Sequence, residues 1–154
     1  KQTIRNRCQI AGPDGTIPLS IPVVKANKPG QPICETRISD HGNWRHLHWR
    51  ALQSAYGNSP FFEYYEDDFR RFYQPDWEFL TDYNRDLMTL VCELLDITPR
   101  INNTEKFQAV PSMDFQGVAP RPYYQVFSAR HGFIPDLSIV DLLFNMGPES
   151  VLYL

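Results

Sequence analysis

A chain of 154 residues, 42% apolar and 21% charged, falls in the range of one globular domain whose core needs no metal or disulfide staple, and a single domain over residues 1–154 is expected. Its net charge of −3, with no basic stripe longer than Arg5-Asn6-Arg7, argues against nucleic acid as a partner, because phosphate binding is dominated by Lys and Arg. No run of apolar residues is long enough for a membrane helix, Lys1-Gln2-Thr3-Ile4-Arg5 lacks the apolar core of a secretory signal, and the three scattered cysteines Cys8, Cys34 and Cys92 read as reduced thiols of a cytoplasmic protein with no membrane partner.

The chain opens as a hairpin. Ile4, Cys8 and Ile10 share one face of a first strand, on which Arg5 and Arg7 project from the other. Pro13-Asp14-Gly15 is a turn: proline presets φ and glycine accepts a positive one. Ile17, Leu19, Ile21 and Val23 alternate along a second strand, and Pro18 and Pro22 make it an edge strand. A first helix is predicted from the N-cap Asn43 to Gly57. A second is predicted with Ser59 as N-cap and Pro60 at its first position; Phe61, Phe62, Tyr65, Phe69, Phe72 and Tyr73 form its apolar stripe. A third begins near Asp76 and ends before Pro99, with Leu80, Tyr83, Leu87, Leu90, Val91 and Leu94 facing the core. Residues 98–122 carry four prolines and little periodicity, which predicts a long connection. Tyr123–Phe127 reads as a short strand, and a last helix runs from about Pro135 to Met146, stopped by Gly147 and Pro148. A hairpin, a run of helices and a lone strand predict an α+β fold, a small mixed sheet packed against four to five helices.

Three patterns could carry chemistry. Trp44, His48, Leu52 and Tyr56 recur every fourth residue and form one helical stripe. A histidine in that stripe is held in dry surroundings, which favours neutral imidazole, competent as a general base or as a core residue bonded to main chain. On the last helix Ser138, Asp141 and Asn145 form a narrow polar strip that faces either solvent or an internal cleft, with Ser138 and Asp141 also placed for a capping box. At the start of the chain Asn6 must satisfy an amide, by pinning a loop or by reading a ligand, and the paired Arg5 and Arg7 could fork a carboxylate or phosphate. His46 and His48 diverge by about 200° on a helix, no spacing matches the zinc patterns, and neither a metal nor a cofactor is expected.

These same blocks resemble the WbqC-like protein family, in wording closest to its Bacteroides-type branch. The likeness is carried by Ile4-Arg5-Asn6-Arg7-Cys8-Gln9-Ile10 and Pro18-Leu19-Ser20-Ile21-Pro22-Val23. It continues with Trp44, His48, Leu52 and Tyr56, then Ser59-Pro60-Phe61-Phe62, and closes on Phe133-Ile134-Pro135-Asp136-Leu137-Ser138-Ile139-Val140-Asp141-Leu142-Leu143-Phe144-Asn145. The resemblance implies an earlier segment of roughly thirty residues that would complete a βαβ unit and that this sequence does not include. It also implies that residues 113–119 are compressed. Some members of the family stand in O-antigen gene clusters, for which aminoacyl transfer to a sugar has been suggested. The expectation is therefore an acyl- or aminoacyl-transferase acting on a sugar-type acceptor in surface polysaccharide biosynthesis, with a small-molecule substrate such as a nucleotide sugar or an aminoacyl donor. His48 is the candidate base, and Asp141 either orients it or binds the acceptor amine. Arg5, Asn6, Arg7, Trp44, Tyr56, Ser138 and Asn145 are the candidate substrate-binding residues. The alternative is a non-catalytic binding or assembly module, in which the polar strip is a docking edge.

Overall fold

The structure, a computed structural model, describes residues 3–26, 30–102 and 119–154. Strands β1 (Arg7–Gly12) and β2 (Gly15–Ser20) form a two-stranded antiparallel hairpin in which Ile10 pairs with Ile17 and Gly12 with Gly15. Pro13 and Asp14 make the tip, and Gly15 takes φ +117° there, a conformation that L side chains rarely adopt. Among the described residues both strands are edges, so Pro18 opposite Gln9 costs no central ladder bond. The first strand is shorter than its alternation predicts. Asn6 closes a turn by donating its N–H to the Thr3 carbonyl at 3.1 Å, and Ile4 is left 96% exposed, off the face that Ile10 buries.

Among the described residues five α-helices follow: α1 (Trp44–Tyr56), α2 (Phe62–Arg70), α3 (Leu80–Leu94), α4 (Ser128–His131) and α5 (Ile139–Met146). A hairpin with five helices is an α+β fold, as the order of elements predicts. The limits of α1 agree with its punctuation. Those of α2 and α3 do not, and both start later. Ser59 does not cap α2; its hydroxyl donates back to the Tyr56 carbonyl at 2.7 Å, and Phe61 stands at the N-cap instead. Residues 74–79 are drawn out of α3 because Trp77 stacks on Phe72, ring centroids 4.9 Å apart, while Phe79 is extended and bridges to Arg37. Residues 123–127 form no strand, so the sheet of the described residues is a plain antiparallel hairpin rather than a mixed sheet. Most of the predicted connection over 98–122, including residues 113–118, lies outside the described residues. No helix among the described residues is long and apolar enough to cross a membrane.

The core is aromatic. Phe144 on α5 is fully buried and meets Tyr56, Phe62 and Phe69 edge-on at 5.1–5.2 Å, which joins α5 to α1 and α2. The Phe61 N–H donates to the Phe144 carbonyl at 3.0 Å, so the start of α2 is also tied to the end of α5. Gly147 ends α5 at φ +56° and ψ −131°, and a Cβ there would lie 2.5 Å from the Phe61 ring. Pro148 then does not end helical structure; a 3-10 helix runs over Gly147–Tyr153. Gly147→Ala therefore meets a backbone strain and a ring at once. A loss of about 2 kcal/mol or more is expected, seen as a fall in melting temperature of roughly 5 °C or more.

Candidate functional site

The turn at residues 3–6, β1, α1, α3 and the start of α5 enclose a cavity of about 160 Å³, open to solvent on one side. Arg5, Asn6, Arg7, His48 and Ser138 all line it, so residues from three distant stretches of sequence meet there. Cys8, Tyr73 and Tyr83 line it as well. Sequence reasoning missed these three as site residues. The two tyrosines sit in otherwise largely aromatic or aliphatic helical stripes, and a hydroxyl placed in such a stripe was the signal available.

His48 is half-buried in the α1 stripe, one turn from Trp44, whose indole meets it edge-on at 5.2 Å. The indole is itself fixed by donating Nε1–H to the Ser39 carbonyl at 3.0 Å. Burial lowers the His48 pKa from 6.5 to about 4, and a hydrogen bond to the Ser20 backbone opposes the shift only in part. The imidazole is thus neutral at physiological pH and held by main chain. Cys8 is reached by solvent, yet it is surrounded closely enough that burial pushes its thiol above the ordinary value; a hydrogen bond with the Ser138 side chain works against that rise. Tyr73 and Tyr83 are hydrogen-bonded to each other and raised in pKa, burial being the main cause in both. Among the described residues, the inner wall therefore offers neutral polar groups.

Charge enters at the rim. Arg5 and Arg7 are exposed. Asn6 between them is buried, and its amide is committed to main chain: Oδ1 accepts the Thr3 N–H at 2.9 Å and Nδ2 donates to the Ile21 carbonyl at 2.9 Å. Asn6 pins the loop that carries the arginines. Asn84 on α3 reinforces it by donating to the Arg5 carbonyl at 2.8 Å. His48 and Arg7 also line a second, shallower hollow of about 470 Å³ together with Trp44, Pro18, Leu47 and Ala51.

The remaining predicted residues belong to a different, closed cluster. Asp141 is fully buried and absent from the cavity lining. Its carboxylate accepts from the Tyr56 hydroxyl at 2.7 Å, the Tyr123 hydroxyl at 2.8 Å and Gln125 Nε2 at 3.0 Å. Tyr56 accepts in turn from the Ala11 N–H at 3.1 Å, so it is a core strut rather than a pocket wall. Asn145 accepts from the Val126 N–H at 3.2 Å and donates to the Asp141 carbonyl at 2.7 Å. The polar strip of α5 thus faces neither solvent nor cleft; it fastens the segment 123–127. Only Ser138, at the N-cap, reaches the cavity, and its side chain caps nothing, so the expected capping box is absent. The partners found for Asp141 do not include His48. Burial still holds the Asp141 carboxyl above its ordinary value, with the three donors opposing it.

Two tests separate the clusters. Asp141→Asn places an NH₂ where three donors converge; a loss of about 2–4 kcal/mol is expected in urea unfolding, while the His48 imidazole followed by NMR still titrates near pH 4. For His48 the folded pKa lies below the unfolded one. The unfolded chain binds a proton below about 6.5 that the folded chain refuses until about 4, so stability falls as pH drops through that window. Unfolding midpoints at pH 7 and pH 4.5 should show wild type losing roughly 2–3 kcal/mol more than His48→Gln, which has no imidazole to charge.

Comparison with known proteins agrees with this arrangement of blocks. The WbqC-like protein family model matches residues 1–113 and 105–153. An uncharacterized protein of Mycobacterium tuberculosis is 29% identical over 191 residues, an alignment that takes in 100% of this chain and 82% of that relative. No solved structure matches. With the family model spanning nearly the whole sequence, the chain belongs to the WbqC-like protein family.

Proposed function

We propose that the protein is a transferase that moves a small acyl group onto a sugar-type acceptor. The observation that carries this reading is the sharing of His48 by two hollows: a narrow inner cavity and a broader outer one. A group-transfer enzyme must bring two substrates to one base, and His48 is the neutral base that both hollows reach. The inner cavity takes the acyl group, walled by apolar side chains and by the hydroxyls of Ser138, Tyr73 and Tyr83. The outer hollow, with Trp44 and Leu47 along it, suits the flat faces of a sugar ring.

His48 accepts the proton of the attacking hydroxyl or amine as the acceptor oxygen or nitrogen bonds to the acyl carbonyl. The carbonyl oxygen gains negative charge in that step, and the cavity hydroxyls and the arginines at the rim are the donors within the site to hold it. The leaving group then departs with the electron pair of its bond to the acyl carbon and takes up the proton from His48. The acceptor class, and a place in surface polysaccharide biosynthesis, follow from the family resemblance.

The test is a transfer assay in which the protein is incubated with acyl donors, coenzyme A thioesters first, and a panel of nucleotide sugars, with products read by mass spectrometry. His48→Gln should lower kcat by a factor on the order of 10² or more, with the fold intact at pH 7. With a base of pKa about 4, the wild-type rate should stay level between pH 5 and 8 and fall only toward pH 4, where imidazolium accumulates. Equal turnover by wild type and His48→Gln would remove His48 from the mechanism.

A further inference from the structure

We infer that Cys8 carries the acyl group as a thioester between donor and acceptor, so that transfer runs in two half-reactions through a covalent intermediate; this rests on the transferase reading above and goes one step beyond it. Cys8 lines the inner cavity with His48 and Ser138. It stands on β1 opposite Leu19, which lines the same cavity. The next pair along the ladder is Arg7 with Ser20, and the Ser20 backbone holds the His48 imidazole. Base and thiol are therefore tied to the same stretch of the hairpin, one register step apart. Tyr73 borders both. Its ring centroid is 6.4 Å from that of His48, and charge on Cys8 contributes, after burial and Tyr83, to its raised pKa.

Cys8 and Ser138 are the thiol and the alcohol of that wall, and the hydrogen bond between them decides which one attacks. The bond lowers the Cys8 pKa, so the Ser138 hydroxyl donates and the sulfur accepts. Ser138 is set in that position by its N–H, which donates to the Gln9 carbonyl at 2.7 Å, one residue beyond Cys8. A hydroxyl donated to sulfur stabilises thiolate character as it develops. Burial keeps the thiol protonated at rest, so it attacks as a base takes its proton. A thiol yields that proton more readily than an alcohol, which suits a base as weak as His48. The thioester that results is uncharged and lies against Leu52, Phe69 and Val140 without a charge to desolvate.

In the first half-reaction the Cys8 sulfur bonds to the carbonyl carbon of an acyl thioester donor while His48 takes the thiol proton. The donor's carbon–sulfur bond breaks; its sulfur leaves with the electron pair and takes the proton from His48. In the second, the acceptor oxygen or nitrogen bonds to the same carbonyl carbon while His48 takes its proton. The Cys8 sulfur leaves with the electron pair and is reprotonated by His48. His48 lines both hollows and Cys8 the inner one, so the acyl group stays in place while donor and acceptor use the outer hollow in turn.

The experiment incubates the full chain with p-nitrophenyl acetate at pH 7, quenches in acid, and reads acetylation of Cys8, Cys34 and Cys92 separately by peptide mass spectrometry. Cys8 should be acetylated at least about tenfold faster than Cys34, and neutral hydroxylamine should remove the group, as it does from a thioester. Burial alone would make Cys8 the slower of the two. His48→Gln should slow Cys8 acetylation by roughly tenfold or more and leave Cys34 as it was. Acetylation of Cys8 no faster than of Cys34, or at the same rate in His48→Gln, would overturn the inference. In the transfer assay Cys8→Ala should lower kcat by a factor on the order of 10² or more. Should that variant fail to fold, the acetylation of wild type and His48→Gln still decides. Full turnover by a folded Cys8→Ala would sink this inference alone. Acetylation of Cys8 that depends on His48, in a protein that passes the group to water and to no sugar, would sink the transferase reading alone.

Discussion

The Asp141 carboxylate is the interaction on which the rest of the structure depends. It is fully buried, and it accepts from three side chains that come from α1 and from the segment 123–127. A carboxylate without water is costly unless each lone pair is met, and here the meeting partners are met in turn. Tyr56 accepts from the Ala11 N–H of β1, and Gln125 both donates to the Ile134 carbonyl and accepts from the Ile134 N–H, each at 2.9 Å. One acid therefore fixes the relative positions of β1, α1, α5 and a segment with no ladder bonds of its own. Such a network specifies an arrangement, since any partial version leaves buried donors or acceptors orphaned.

The cavity is a consequence of that arrangement. Tyr56 anchors the far end of α1 to β1, and Trp44, held by Ser39 and covered by Arg45, anchors the near end. His48 lies between these two struts and has little freedom to leave the cavity wall. At α5 the Ser138 N–H donates to the Gln9 carbonyl at 2.7 Å, which docks the start of that helix on β1 and sets the Ser138 side chain beside Cys8. The rim is tied down separately, by Asn6 to Ile21 and by Asn84 to the Arg5 carbonyl. Walls and rim thus rest on different hydrogen-bond systems, the rim on one buried bond and one exposed bond that share no residue with the Asp141 network.

How much of this was legible in the sequence follows from what spacing encodes. The stripe Trp44, His48, Leu52 and Tyr56 gave α1 and its buried face, because four-residue spacing and a terminal glycine are local signals. Spacing likewise showed that Ser138, Asp141 and Asn145 share one face of α5. It could not show what stands opposite. The partner of that face is residues 123–127, an extended segment held by side chains rather than by a ladder, which has no periodicity to read. The late starts of α2 and α3 have the same origin: tertiary ties of Phe61 to Phe144 and of Trp77 to Phe72 override local capping preferences. Arg5 and Arg7 were assigned to one strand face, whereas a turn over residues 3–6 carries the first and β1 begins with the second. They reach the same rim by a different route from the alternation that suggested it.

The division of charge within the site follows from burial. The groups on the walls that could ionise, His48, Cys8, Tyr73 and Tyr83, are all displaced toward their neutral forms, and desolvation is the first cause in each case. The arginines stand at the edge, in contact with water. Among the described residues the cavity lining is thus basic at its mouth and neutral, mostly apolar, inside, one consequence of how far water reaches along it.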